Sequence, residues 1–157
     1  LAEKAGIACE NGITVDERCQ TSIPRIYAAG DCTNHPNPLL NRRLRLESVP
    51  NAMEQARVCA SNMVGKDKIY SSIPWFWSDQ YELKLQMVGF SSDGDSEIIR
   101  GDMDANQFSV FHVKENKVMA ADSVNSPKDF MICKQLIGKE VDLDKLLDES
   151  VELKSML

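Results

Sequence analysis

The residues whose types are best suited to bind a ligand are a glycine and an aspartate that follow a short apolar run. Residues 26–29 are apolar and are followed at once by Gly30 and Asp31. A run of this kind predicts a buried strand of a parallel sheet, and the carboxyl ends of such strands open into ligand-binding crevices. Gly30 has no Cβ, so a ligand can approach its backbone closely, and an ionised Asp31 accepts hydrogen bonds from a hydroxyl-rich ligand. The alternative is that the pair only forms a turn.

A second candidate binding group lies at the start of a helix that we predict over residues 50–64. Pro50 fits the first helical position, where its missing N–H costs nothing, and Gly65 fits the end. Val49 stands where helices carry unpaired N–H groups and a partial positive charge. Such a start favours a ligand with negative charge. The alternative is a helix that only packs against its neighbours.

Two tryptophans form the third candidate group. Trp75 and Trp77 share a face if the segment between them is extended. A flat indole could shield a planar ligand and stack on it. The alternative is that both tryptophans belong to the hydrophobic core.

Four arginines form the only basic cluster of a chain whose net charge is -6. This balance argues against non-specific nucleic-acid binding, which relies on neutralising phosphates. The cluster consists of Arg42, Arg43, Arg45 and Arg57. We expect some of them, with Arg43, Arg45 and Arg57 as candidates, to face an acidic protein partner. The alternatives are a solvated surface and internal salt bridges.

The cysteines and histidines do not form a metal-binding pattern. The five cysteines are Cys9, Cys19, Cys32, Cys59 and Cys133, and none has CxxC spacing. We therefore expect no metal and free thiols, which are typical of the cytoplasm. Cys32 stands out only because it follows Asp31, and both histidines are expected to be structural. No apolar run is long enough to predict a membrane span.

The pattern of elements predicts two domains and a mixed fold class. In residues 1–68, strand and helix candidates alternate as in an α/β domain, and residues 32–44 are predicted to be a loop because they are rich in Pro and Asn. In residues 69–157, half-buried strands with period-two alternation precede helices, which is typical of an α+β domain. Elements predicted there are strands over 83–87 and 108–113, a hairpin turn at Glu115 and Asn116, and helices over 126–138 and 142–147.

Three sequence blocks carry a resemblance to a known family. Residues 21–31 read Thr-Ser-Ile-Pro-Arg-Ile-Tyr-Ala-Ala-Gly-Asp, which resembles the second flavin-contacting motif of flavoproteins with two dinucleotide-binding domains. Residues 45–57 and 74–81 continue the likeness. Together the blocks resemble FAD-dependent NAD(P)H:ferredoxin reductases of bacterial oxygenase systems, which include putidaredoxin, rhodocoxin and aromatic-ring dioxygenase reductases. The likeness is strong over most of residues 1–90 and weak beyond them.

The resemblance implies both a fold and residue roles. Residues 1–68 would be the carboxy-terminal part of a Rossmann-like FAD domain, and residues 69–157 a reductase carboxy-terminal domain used for docking or dimerisation. Asp31 would bind the ribityl chain of FAD, and Gly30 would allow its approach. Val49 would present its N–H to the pyrimidine edge of the flavin, and Trp77 rather than Trp75 would lie near the ring. The electron acceptor would be of the ferredoxin or rubredoxin type.

Several parts of such an enzyme are not expected in this chain. It contains no Gly-x-Gly-x-x-Gly motif and begins with Leu1 rather than Met. We therefore expect a carboxy-terminal fragment without catalytic residues, with the NAD(P)H site mostly outside it. Such a fragment is expected to be inactive and to retain little FAD. Two alternatives remain, a non-catalytic interaction or dimerisation module and an apoptosis-inducing-factor-like reductase with another acceptor.

Overall fold

The computed structural model describes residues 1–157, which form two compact units, Leu1–Pro74 and Trp75–Leu157. The sequence predicts a boundary after residue 68, and Tyr70 explains why the first unit extends further. Its side chain is buried, its N–H donates to the Glu17 carbonyl at 2.8 Å and its hydroxyl donates to the Asn51 side chain at 3.0 Å. These bonds tie the segment after residue 68 to the first unit.

The first unit combines a small mixed sheet with one long helix. Its elements are β1 (Ile13–Thr14), β2 (Thr33–Asn37), β3 (Arg42–Leu44) and α1 (Val49–Met63). The strand order is β1-β2-β3, with β1 parallel and β3 antiparallel to β2. Strand β2 is thus the central strand, although its side chains are mostly polar.

The prediction of a loop over residues 32–44 is wrong, because β2 and β3 both lie within it. The polar side chains of β2 are buried, and most find hydrogen-bond partners. Asn34 donates to the Glu10 carbonyl at 2.6 Å, and Asn37 donates to the Ser72 carbonyl at 3.3 Å. Burial of a polar strand is tolerated when its groups are paired, and local composition does not reveal such distant partners.

The prediction of a buried strand over residues 26–29 is also wrong. Ile26 is exposed, and the segment makes only an isolated bridge between Tyr27 and Gln20. The Ala28 N–H donates to the Cys19 carbonyl at 3.1 Å. The acceptor therefore belongs to a loop and not to a neighbouring strand of a sheet. The segment is followed by a turn rather than by the carboxyl end of a parallel strand.

Helix α1 is confirmed, with its start one residue earlier than predicted. The Ser48 side chain caps it by accepting the Asn51 N–H at 3.4 Å, and Pro50 lies in the first turn. Gly65 follows the helix with a φ of 81°, the left-handed conformation typical of residues that end helices.

The second unit is built on a five-stranded antiparallel sheet, which confirms the predicted α+β class. Its strands are β4 (Trp75–Gln80), β5 (Leu83–Gly89), β6 (Ser96–Asp102), β7 (Gln107–Lys114) and β8 (Lys117–Val124), in the order β4-β5-β8-β7-β6. The predicted hairpin turn joins β7 to β8, and Glu115 and Asn116 both have positive φ there, at 50° and 61°. Two such residues form the tight turn whose twist matches the paired strands.

Two helices complete this unit and confirm the prediction for its end. Helix α2 (Pro127–Leu136) packs on β8 and β5, and α3 (Leu143–Leu147) packs on β6. The core lies between sheet and helices, where the largest fully buried apolar side chains are Phe111, Phe130, Leu136 and Leu146. None of the helices is both long and apolar enough to cross a membrane.

An arginine holds the final segment of the second unit. Arg100, on β6, is 8% exposed, and its guanidinium donates only to backbone carbonyls. The acceptors are those of Lys145, Leu146, Asp148 and Val151, at 3.2, 2.8, 3.0 and 2.8 Å. One buried cation therefore satisfies carbonyl groups in the last turn of α3 and in the segment that follows it.

Candidate functional site

The Gly30–Asp31 turn is held by hydrogen bonds at its buried side. Gly30 has a φ of 83°, a conformation that favours glycine. Its N–H donates to the Gln55 side-chain carbonyl at 2.7 Å. Its own carbonyl lies 2.9 Å from the Thr33 hydroxyl, whose single proton is shared between this carbonyl and that of Gln55. These hydrogen bonds fix the buried side of the turn, whereas the Asp31 side chain is exposed to solvent.

The same turn rests on the first turns of helix α1. A Cβ added to Gly30 would stand 3.4 Å from the Ala52 Cβ, which is ordinary contact distance. Val49, the first residue of that helix, is 55% exposed, and its N–H makes no hydrogen bond within the protein. The structure thus brings the turn that carries Asp31 and the helix start at Val49 into one assembly.

This arrangement has a defined binding chemistry. The exposed Asp31 carboxylate offers acceptors, and the open Val49 N–H offers a donor with the positive end of a helix dipole behind it. A ligand that carries hydroxyl groups and a separate electron-rich edge matches both. These groups fit the sugar-alcohol arm and the pyrimidine edge of a flavin.

Sequence reasoning missed Gln55, which the structure places directly behind the turn. Its side chain is fully buried and accepts hydrogen bonds from Gly30 and from the Thr33 hydroxyl, at 2.7 and 2.8 Å. Gln55 shares a helical face with Ala52 and Cys59, because it lies three residues after one and four before the other. A glutamine on an apolar helix face was the available signal for this residue.

Trp77 and Trp75 lie on β4 of the second unit and share a face, as the extended geometry predicts. Their ring centroids are 5.4 Å apart. Trp75 also packs on Phe130 at 5.9 Å and lies beneath the Lys134 ammonium at 4.3 Å, whereas Trp77 is 37% exposed. Trp75 thus joins the packing of its own unit, and Trp77 is the tryptophan left accessible to a ligand.

The three arginines predicted to dock a partner differ in whether their side chains are already bonded within the chain. Arg43 donates to the Asn34 side chain at 3.1 Å, and Arg45 pairs with Glu47 at 2.6 Å. Arg57 is exposed and makes no ion pair. Of the three predicted docking residues, Arg57 is the one whose side chain makes neither a hydrogen bond nor an ion pair.

Two buried titratable groups of the first unit, Cys19 and His35, are uncharged at neutral pH. Burial raises the pKa of the Cys19 thiol to about 12, so that it stays protonated. Burial also lowers the pKa of His35 to about 4, so that its ring stays neutral at neutral pH. Cys32 is exposed and lines a cavity of about 380 Å³ with Cys9 and Arg45.

Comparison with known families divides the chain in two. Residues 75–157 match the model of the family described as Reductase C-terminal. Residues 1–56 match that of Pyridine nucleotide-disulphide oxidoreductase. The first of these matches covers more than half of the chain and coincides with the second compact unit.

Individual proteins show the same likeness over nearly the whole chain. Putidaredoxin reductase of Pseudomonas putida is 45% identical over 159 residues, which is 100% of this chain and 38% of that protein. The chain therefore spans little more than a third of the length of this curated relative.

Two solved structures extend the likeness to the fold. The ferredoxin reductase of the CYP199A2 system from Rhodopseudomonas palustris superposes with a TM-score of 0.91 at 38% identity, covering 98% of this chain and 39% of that one. The covalent putidaredoxin reductase–putidaredoxin complex gives a TM-score of 0.89 at 44% identity, with 99% and 38% covered. With its antiparallel sheet, its helices and the match over residues 75–157, the chain belongs to the Reductase C-terminal family.

Proposed function

We propose that this chain works as the carboxy-terminal part of an FAD-dependent reductase that passes electrons from NAD(P)H to a ferredoxin-type acceptor. The observation that carries the proposal is the assembly of turn and helix start, with the exposed Asp31 carboxylate and the open Val49 N–H joined through Gly30. The similarity to putidaredoxin reductase over the whole chain supports it.

The residues of the first unit would hold the flavin in distinct ways. Asp31 would accept hydrogen bonds from the ribityl hydroxyls, while Gly30 leaves room for their approach. Val49 would donate its N–H to the pyrimidine edge, and the helix dipole would stabilise negative charge there. When bound, FAD supplies the hydride and electron chemistry, and the protein supplies position and electrostatics.

We assign no catalytic residue to this chain, and the NAD(P)H site lies mostly outside it in this proposal. Trp77 is proposed as a neighbour of the flavin ring because its indole is accessible and is presented on a strand. Five free thiols support a reducing compartment, and hence a cytoplasmic location.

The proposed acceptor is a ferredoxin, with a rubredoxin as the other candidate of the same class. One of the similar structures is a complex of putidaredoxin reductase with putidaredoxin. Arg57 supports docking of such a partner because its charge is exposed and unpaired, and complementary charge accelerates encounter. Arg43 and Arg45 are weaker candidates for direct contact with the partner, because their side chains are already bonded within the chain.

The test is reconstitution of the intact flavoenzyme. We expect the purified intact enzyme to bind FAD and to reduce a ferredoxin with NADH or NADPH. A sample of residues 1–157 alone is expected to be inactive and nearly colourless. A protein that binds no flavin when intact would refute the proposal. A protein that reduces only small acceptors would point to the apoptosis-inducing-factor-like alternative.

A second candidate function rests on the edge strand β4. Residues 76–80 are all exposed, and β4 has a hydrogen-bonding neighbour on one side only. An unprotected edge can pair with a second copy of the chain, which favours a dimerisation module. Light scattering on the intact protein distinguishes monomer from dimer, and substituting Ser78 with Pro is expected to abolish a dimer formed through this edge.

A further inference from the structure

Gln55 connects helix α1 to both sides of Asp31. Its side-chain carbonyl accepts the Gly30 N–H at 2.7 Å and the Thr33 hydroxyl at 2.8 Å. Gly30 precedes Asp31 and Thr33 follows two residues after it, so one oxygen atom of the helix holds the turn at two points. Gln55 itself is fully buried and cannot touch a ligand outside the protein.

The other half of the same side chain is unsatisfied. The Gln55 Nε2 is buried and has no hydrogen-bond partner. Leaving a buried donor unpaired costs about as much free energy as a hydrogen bond contributes, which offsets much of what the two accepted bonds add. A gain in stability is therefore a poor explanation for a glutamine here, and the position of the turn is the better one.

We propose that Gln55 is a positioning residue, which fixes the Gly30–Asp31 turn relative to the start of helix α1. The inference rests on the proposed function of that turn as part of a flavin site. Because Gln55 and Val49 belong to the same helix, the amide oxygen sets where the Asp31 carboxylate stands relative to the open Val49 N–H. A ligand that uses both groups binds tightly only when that spacing is held.

The test uses the intact flavoenzyme with three substitutions on one helix. Gln55→Met keeps an unbranched side chain but removes the acceptor. Gln55→Glu keeps the acceptor oxygen and replaces the unpaired N–H₂ group with a second carboxyl oxygen, in a buried position that favours the protonated, uncharged form. Cys59→Ala lies one turn further along α1, at a position that is 7% exposed. The Cys59 Sγ donates to the Ala28 carbonyl at 3.5 Å, so that the variant lowers stability next to the turn without removing a bond to Gly30 or Asp31.

We expect Gln55→Met to raise the Kd for FAD by roughly tenfold or more, which corresponds to about 1.4 kcal/mol. It is also expected to make the flavin midpoint potential more negative, because the reduced form loses part of its contact with the helix start. Gln55→Glu is expected to keep the Kd within about threefold of the wild type, since it restores the acceptor. Cys59→Ala is expected to lower Tm and leave the midpoint potential unchanged.

Two results would overturn the inference. One is a Gln55→Met protein with lowered Tm but unchanged Kd and midpoint potential. The other is a Cys59→Ala protein whose potential shifts as much as that of Gln55→Met. If Gln55→Met does not fold, Thr33→Val removes one of the two donors to Gln55, together with the contact of the same hydroxyl with the Gly30 carbonyl. It is expected to shift both quantities in the same direction by less, and no shift refutes the role.

Failure of the proposed function is distinguishable from failure of this inference. If the wild-type protein binds no FAD, the proposed function fails by itself. Hydrogen exchange at the Gly30 amide then still decides whether Gln55 holds the turn. Faster exchange in Gln55→Met than in Cys59→Ala supports the positioning role, and equal exchange contradicts it.

Discussion

The Ala52 Cβ lies 3.4 Å from the point where a Cβ on Gly30 would stand. The backbone of the turn therefore packs against the Ala52 methyl group in the first turns of α1. Because of this contact, a change in the turn and a change at the helix start act on one site.

Removal of the Asp31 carboxylate is expected to weaken FAD binding in the intact protein. Hydrogen bonds to a charged group contribute about 1.5–3 kcal/mol each, so Asp31→Ala is expected to raise Kd by at least roughly tenfold. Flavin fluorescence during titration measures it. Asp67→Ala, which removes an exposed carboxylate paired with Arg18, serves as control and is expected to leave Kd unchanged. Equal affinity in the two variants would contradict the assignment.

The Val49 N–H can be removed without removing the helix. Val49→Pro deletes this donor at a first-turn position that accepts proline, whereas Val49→Ala trims the side chain and keeps the donor. We expect only the proline variant to make the flavin midpoint potential more negative, by an amount on the order of 1 kcal/mol. Spectroelectrochemical titration of both variants gives the comparison, and identical potentials would exclude a role for the N–H.

Arg57 is expected to influence the rate of ferredoxin reduction through its charge. Arg57→Glu should slow the reaction at low ionic strength and flatten its dependence on salt, because steering by opposite charge is screened by ions. Lys66→Glu makes the same change of charge at another exposed position. If both variants show the same salt dependence, general charge rather than docking at Arg57 explains the effect.

His35 is expected to make the stability of the first unit depend on pH. Burial lowers its pKa to about 4 from a reference value of 6.5, and neither ring nitrogen has a hydrogen-bond partner. The unfolded chain therefore takes up the proton first, so that the contribution is complete above pH 6.5 and is lost as the pH falls towards 4. The loss amounts to roughly 3 kcal/mol.

A non-titrating ring isolates this effect from the protonation of carboxylates. His35→Phe retains an aromatic ring beside Tyr70, whose centroid is 5.1 Å away. Urea unfolding at several pH values is expected to give a shallower loss of stability on acidification for this variant. Parallel curves for variant and wild type would show that His35 does not contribute.

Arg100→Met is expected to loosen the end of the second unit. The substitution removes donors to four buried or part-buried carbonyls, and we expect it to reduce the free energy of unfolding by about 3 kcal/mol or more. Hydrogen exchange over residues 143–153 is the direct readout. Arg18→Met, at an exposed pair with Asp67, is the matched control, with an expected cost below about 1 kcal/mol.

The extent to which sequence predicts this structure depends on where each element finds its partners. Helix α1 and the turn at Glu115 are predicted because caps and turn residues act within a few positions. Strand β2 is not predicted, because Asn34 and Asn37 are satisfied by carbonyls 24 and 35 residues away. The role of Gln55 is not predicted for the same reason, since its hydrogen-bond partner Gly30 lies 25 residues earlier.

The placement of the tryptophans gives the chain an internal optical label. Both of its tryptophans, Trp75 and Trp77, belong to the second unit, whereas the first has tyrosines only. Fluorescence excited selectively in the indole rings therefore reports the unfolding of the second unit and not that of the first. The separation between that curve and one recorded by circular dichroism measures how independently the two units lose their structure.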